Sequence, residues 1–192
     1  MARDRAKRPE AKALRLFVAF EIPEEVRRKL ADAVEPLRER FPRGRWVPLA
    51  NQHVTLKFLG ATWPRLVGWV EETVRAVAAS RAAFEIRVEG LGAFPSERRA
   101  RVLWAGLEEN GSVGRLAAGL EDALAREFRP EARGFTPHLT LARFEPAERL
   151  TDLPALPALE PFVVERIVLF RSHLRRPAPI YEPIRTFELG AD

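Results

Sequence analysis

No cysteine occurs among the 192 residues, and only one methionine, one tyrosine and three histidines. Without cysteine there are no disulfides, no thiol nucleophile and no zinc site built on thiolates, so stability has to come from packing. Long apolar runs are missing too. The strongest, "LFVAF" from Leu16, is broken within a few residues, far short of a membrane span. The opening "MARDRAKRPEAKA" has no apolar core of the kind a secretion signal carries. A cytoplasmic location with no membrane partner is therefore expected.

What is present is ordinary for a folded soluble protein: 46% hydrophobic and 31% charged residues, in a chain long enough to bury a real core. The formal net charge of +5 favours polyanionic partners such as nucleic acid, though part of it lies in the first dozen residues. Residues 1–12 read as a basic disordered tail and residues 13–192 as one bilobal domain.

Patterning divides that domain into alternating elements. "ALRLFVAFE" (Ala13 to Glu21) reads as a buried strand. Pro23, Glu24 and Glu25 then open a helix, with Val26, Leu30, Val34 and Leu37 at helical spacing; Pro36 predicts a kink or an end near Glu35. A strand from His53 to Leu59 follows, then a helix from Trp63 to Ala79. "FEIRVEGL" and "RVLWAGL" read as a hairpin, and Val113, Leu116, Leu120, Leu124 and Phe128 mark a third helix. A strand from His138 to Phe144 comes next, and a Pro-punctuated connector leads to "FVVERIVLFRS" and "YEPIRTFEL", two further strands.

This order contains a weak internal repeat. Strand, helix and histidine strand recur about 85 residues apart, with Leu16 to Phe20 corresponding to Arg101 to Ala105 and His53 to His138. "HVTLKFLG" and "HLTLARFE" share His, Thr and Leu at the same offsets. Residues i and i+2 of a strand project from one face, so His53 pairs with Thr55 and His138 with Thr140, while Val54, Leu56, Phe58, Leu139 and Leu141 face the core. Two such faces lining one cleft would gather two imidazoles and two hydroxyls. That set suits a phosphate: imidazoles serve as acid and base near neutral pH, and threonine hydroxyls donate to non-bridging oxygens. His173, in "FRSHLRR", has no such partner and reads as a surface or structural histidine.

With these motifs the chain resembles the two-histidine (2H) phosphoesterases, and within them the RNA 2′,3′-cyclic phosphodiesterases once described as 2′-5′ RNA ligases. The resemblance runs through "RLFVAFEIPEEV", "RWVPLANQHVTLKFLG" with the first H-x-T-x motif, "LGAFPSERRARVLWAGL", "GFTPHLTLARF" with the second, and "VVERIVLFRSHL" followed by Tyr181. It implies an α+β fold of two pseudo-symmetric lobes, antiparallel sheets lining a central cleft and helices outside. It also implies metal-independent, cofactor-free hydrolysis of RNA 2′,3′-cyclic phosphate ends to 2′-phosphomonoesters, with reverse 2′-5′ ligation, by a monomer acting on RNA ends, tRNA fragments included. By the same carry-over His53 is the proton donor to the departing 3′-oxygen, His138 the proton acceptor that activates water, and Thr55 and Thr140 hold the phosphoryl oxygens.

In-line displacement needs a base at the entering oxygen and an acid at the leaving one, which predicts a bell-shaped pH profile around the reference histidine value of about 6.5. Arg143 is a candidate phosphate ligand, because the family's second motif commonly continues to arginine there. Strict alternation, however, puts it on the core side unless the strand bends, bulges or ends. Lys57 falls on the His53 face by the same rule. Trp46, Tyr181 and Phe17 are candidates for stacking on a base, with core packing the better reading for Phe17; Arg98 and Arg99 stay outside the site. Two other classes fit parts of the pattern. A non-catalytic RNA-binding module would show no turnover, and a metallohydrolase would lose activity in chelator.

Overall fold

Leu16, Val18, Phe20 and Ile22 are all buried on one side of the first strand, and Phe17 and Ala19 on the other, so this strand is covered on both faces and forms the interior of a sheet. The computed structural model describes residues 12–108, 110–132 and 134–190; all but the last residue of the basic tail lies outside them. The described residues form nine strands: β1 (Leu14–Glu21), β2 (Arg45–Trp46), β3 (His53–Thr62), β4 (Phe84–Phe94), β5 (Ala100–Glu108), β6 (His138–Glu148), β7 (Phe162–Val164), β8 (Arg166–His173) and β9 (Ile180–Glu188). Three helices, α1 (Glu24–Arg40), α2 (Pro64–Ala79) and α3 (Ser112–Leu124), complete the α+β fold.

The strands run β7-β4-β5-β6-β3-β1-β8-β9, with the short β2 added against β6, and the pairings are antiparallel. Four strands of one half mirror four of the other about the β6–β3 junction. That junction is held at Val54↔Leu139, two residues that are themselves 85 positions apart. The same offset converts Phe17↔Phe58 into Val102↔Arg143, and Ala19↔Thr55 into Trp104↔Thr140. The sequence repeat is thus a structural two-fold. In the second half a connector without a helix follows β6 as α2 follows β3 in the first, and it buries Leu150 and Leu159.

The core lies between the helices and one face of the sheet. α1 buries Val26, Leu30, Val34 and Leu37, α2 buries Val70, Val74 and Ala78, and α3 buries Val113, Leu116, Ala117, Leu120 and Leu124. Contrary to the expected break, α1 continues through Pro36 to Arg40. A mid-helix proline costs about 3 kcal/mol, and the burial of Val34 and Leu37 on either side of it offsets that cost. The stripe expected to carry α3 on to Phe128 ends as helix at Leu124, but Phe128 still packs under the core through a turn closed by its N–H donating to the Leu124 carbonyl at 3.1 Å. The run "FVVERIVLFRS" is two strands, interrupted at Glu165.

The pairing shifts register twice along each histidine strand, and the shift nearer the histidine is the one that redirects side chains at the site. Val18 pairs with Lys57 but the next residue, Ala19, pairs with Thr55, leaving Leu56 as the extra residue of a β-bulge. Leu103 and Trp104 pair with Ala142 and Thr140, leaving Leu141 extra in the same way. A bulge puts two consecutive side chains on one face and reverses the alternation after it. Leu56 and Lys57 are accordingly both buried, as are Leu141 and Ala142, while Phe58 and Arg143 emerge exposed on the opposite, histidine-bearing face.

Candidate active site

The open face of the sheet around the two-fold carries His53 and Thr55 from β3 and His138 and Thr140 from β6. Because Val54 pairs with Leu139 in antiparallel sense, one step either way sets His53 beside Thr140 and Thr55 beside His138. All four side chains therefore surround a common centre.

Each imidazole is oriented by a carbonyl two residues upstream. His53 Nδ1–H donates to the Asn51 carbonyl at 2.8 Å, and His138 Nδ1–H to the Thr136 carbonyl at 2.7 Å. A carbonyl only accepts, so both neutral rings carry their proton on Nδ1 and direct the basic Nε2 into the cleft. His53 Nε2 accepts from the Thr55 hydroxyl at 3.1 Å. Asn51 is itself fixed, its Nδ2 donating to the Pro179 carbonyl at 2.8 Å, which ties the turn before β3 to the β8–β9 hairpin.

Aromatic rings back both histidines. Phe17 lies 4.9 Å from the His53 ring and Tyr181 meets it edge-on at 5.1 Å, with Phe170 stacked on Phe17 and 6.3 Å from His53. On the other lobe Phe94 meets His138 edge-on at 5.1 Å and Trp104 lies 6.3 Å away. Phe170 and Phe94 are two-fold equivalents, paired with Phe17 and Val102. These rings exclude water, and burial penalises the charged imidazolium. His53 is pulled down to about 4, chiefly by burial, partly offset by the Asn51 carbonyl and reinforced by the positive charges of Arg143 and His138. His138 is lowered for the same leading reason, with the Thr136 carbonyl opposing and Arg143 reinforcing. The free protein therefore holds both imidazoles neutral at pH 7, and the bell expected around 6.5 moves to lower pH.

Arg143 is on the cleft face, where the Leu141 bulge places it, and its charge acts on His53, His138 and Tyr181 together. Tyr181 also belongs to the cleft, its ring in edge contact with both Phe17 and His53; burial raises its hydroxyl, with Arg143 and then Arg15 opposing.

Two expected cleft residues are elsewhere. Lys57 is turned inward by the Leu56 bulge: its side chain is 1% exposed, Nζ meets Glu121 of α3 at 2.7 Å and donates to the Arg129 carbonyl at 3.0 Å. It fastens α3 to β3 and does not face substrate. Trp46, on the edge strand β2 beside Ala142, packs against the core, and its indole N–H donates to the Phe41 carbonyl at 3.2 Å. His173 bonds Glu182 at 2.7 Å, away from the pair. Two residues escaped the sequence reading: Phe58, 54% exposed beside Phe17, and the orienting residue Asn51. Neither bulge is marked by glycine or proline, so only the partner strand reveals that Phe58 faces the cleft.

The chain resembles known proteins along most of its length. A protein from Thermus thermophilus named RNA 2′,3′-cyclic phosphodiesterase is 36% identical over 190 residues, covering 93% of this chain and 92% of its own. One of the same name from Geobacillus stearothermophilus is 32% identical over 181 residues, 90% of this chain, which spans only 56% of that longer relative. Among solved structures, TT0787 of Thermus thermophilus superposes with a TM-score of 0.78 at 32% identity, over 93% of this chain and 100% of its own. Escherichia coli LigT complexed with 3′-AMP does so with a TM-score of 0.75 at 26% identity, over 93% and 99%. The family model described as LigT like Phosphoesterase matches residues 20–104 and 106–181, a span that includes both histidine strands, the Arg143 bulge and Tyr181. The chain belongs to the LigT-like phosphoesterase family.

Proposed function

We propose that this protein hydrolyses the 2′,3′-cyclic phosphate at an RNA end to a 2′-phosphomonoester, with His53 as acid and His138 as base. The observation that carries this reading is the duplicated His–Thr pair around one two-fold, each Nε2 aimed into a cleft that also receives Arg143. Relatives that share 36% and 32% of its residues bear the name RNA 2′,3′-cyclic phosphodiesterase.

His138 suits the base: burial and Arg143 keep it neutral, ready to take a proton from the attacking water through Nε2. As that water bonds to phosphorus on one side, the bond to O3′ breaks on the other, and His53 delivers its proton to the departing O3′. Thr55, Thr140 and Arg143 hold the non-bridging oxygens, whose charge grows as the pentacoordinate transition state forms. Arg143 adds charge compensation and in the free protein disfavours protonated His53; the arriving phosphate anion reverses that balance and raises the acid toward working pH. Neither histidine needs a metal for this sequence of transfers. Phe17 and Tyr181 support His53, and the exposed ring of Phe58 offers the terminal nucleoside an apolar floor. With the 5′-hydroxyl of a second RNA in place of water, the same displacement of O3′ joins the two ends through a 2′-5′ bond, His138 taking the hydroxyl proton and His53 protonating O3′. The protein acts as a single bilobal unit, as a monomer, on RNA ends in the cytoplasm.

The test is turnover of a short RNA ending in 2′,3′-cyclic phosphate, in excess chelator, with the position of the product phosphate determined. The expected result is undiminished hydrolysis to the 2′-phosphate, and a loss of at least about 10²-fold for His53→Ala or His138→Ala. Binding without turnover would make it an RNA-binding module, and a 3′-phosphate product would reverse the assigned roles.

A further inference from the structure

The two-fold shows which cleft positions the halves share and which they do not. His, Thr and the bulge are common to both, whereas Phe58 stands opposite Arg143, and the Arg15↔Ala61 pairing of β1 and β3 has no counterpart because β5 and β6 shift register between Ala100 and Val102. Shared positions serve the reacting phosphate. The divergent ones give the cleft a direction.

Arg15, Phe17 and Ala19 occupy the same face of β1, because Leu16, Val18 and Phe20 fill the helix-side core. Moving outward from the centre along that face, Ala19 pairs with Thr55, Phe17 with Phe58, and Arg15 with Ala61. Ala19 and Arg15 are four residues apart, roughly 13 Å along the strand. Arg15 is exposed and, among the described residues, has neither an ion pair nor a hydrogen bond. Tyr181 packs on Phe17 at 5.0 Å, against the same Phe17 and Ala19 face. Arg143 and Arg15 both act electrostatically on the Tyr181 hydroxyl.

We infer that Arg15 forms a second phosphate site, binding the phosphodiester on the 5′ side of the terminal nucleotide, so that the protein favours cyclic-phosphate ends of RNA chains over cyclic mononucleotides. The sequence of contacts along lobe one is then reacting phosphate at the histidines, nucleoside over Phe58, and preceding phosphate at Arg15. In the second lobe Ala100 is buried in the core and the strand register shifts there, so the arrangement is not repeated. This inference rests on the cyclic phosphodiesterase reading above.

Three substrates test it: 2′,3′-cyclic AMP, a dinucleotide ending in 2′,3′-cyclic phosphate, and that dinucleotide with a neutral methylphosphonate at its internal linkage. Arg15→Gln should lower kcat/KM on the charged dinucleotide by about tenfold or more, the effect of losing a charge-assisted hydrogen bond. It should leave the mononucleotide within about twofold, since a surface substitution there disturbs little else. The methylphosphonate should impair the wild type to a similar extent and the variant hardly at all. The salt dependence of kcat/KM on the dinucleotide should weaken by about 0.7 in logarithmic slope. Equal losses on mononucleotide and dinucleotide, or a variant that still discriminates against the methylphosphonate, would overturn the second site while leaving the activity intact. A wild type that hydrolyses none of the three would overturn the activity and this inference together.

Discussion

Burial of His53 makes the fold sensitive to acid in a way that can be calculated. The unfolded chain binds a proton at His53 near 6.5, whereas the folded chain binds it only at about 4. A depressed folded value means that protonation favours the unfolded state. The stability tied to neutral His53 is thus fully present above pH 6.5 and is lost as pH falls from there toward 4. Integrating between those values gives a loss of ~2 kcal/mol at pH 5 and ~3 kcal/mol at pH 4 from this one residue, a large part of the 5–15 kcal/mol typical of a folded domain. His53→Gln keeps a polar side chain of similar size and removes the titration. Denaturant unfolding of both proteins at pH 7, 6, 5 and 4.5 provides the assay, because every other titrating group contributes equally and cancels in the difference. The wild type should lose stability faster than the variant by the amounts above. Parallel curves through this range would refute the buried, uncharged His53.

Other substitutions separate structure from chemistry. Glu121→Ala leaves the Lys57 ammonium buried without its carboxylate and should cost about 3 kcal/mol, a fall in Tm of roughly 6–12 °C; Lys57→Met should cost about 1 kcal/mol and leave cyclic-phosphate hydrolysis unchanged. Arg143→Met removes the positive charge that lowers both histidines, so the pH profile of kcat/KM should move to higher pH as its maximum falls; a reduced rate with an unmoved profile would show that Arg143 does not face the pair. In Gly92→Ala the added methyl would collide with the ring of Trp104, which lies beside His138. That substitution should reduce kcat more than the same change at the unobstructed Gly68.

Much of this protein is local in origin. The apolar stripes of α1, α2 and α3, the hairpin of β4 and β5, and the pairing of each histidine with the threonine two residues on depend on periodicities of 3.6 and 2, which a linear sequence displays directly. The 85-residue repeat points His53 and His138 to one centre without any tertiary information, because related halves place equivalent side chains about a shared axis. The bulges could not be read in this way. Leu56 and Leu141 are ordinary strand residues, and each becomes an extra residue only because β1 or β5 is one position shorter at that point in the pairing. That single-residue mismatch removed Lys57 from the cleft and delivered Phe58 and Arg143 to it. Pro36 was likewise overruled by the core contacts around it, and Trp46 by its place on the edge strand against Phe41. The residue types and the two-fold follow from the sequence by itself; which side chains face the phosphate was decided by the tertiary structure, since register is a property of two strands and neither contains it alone.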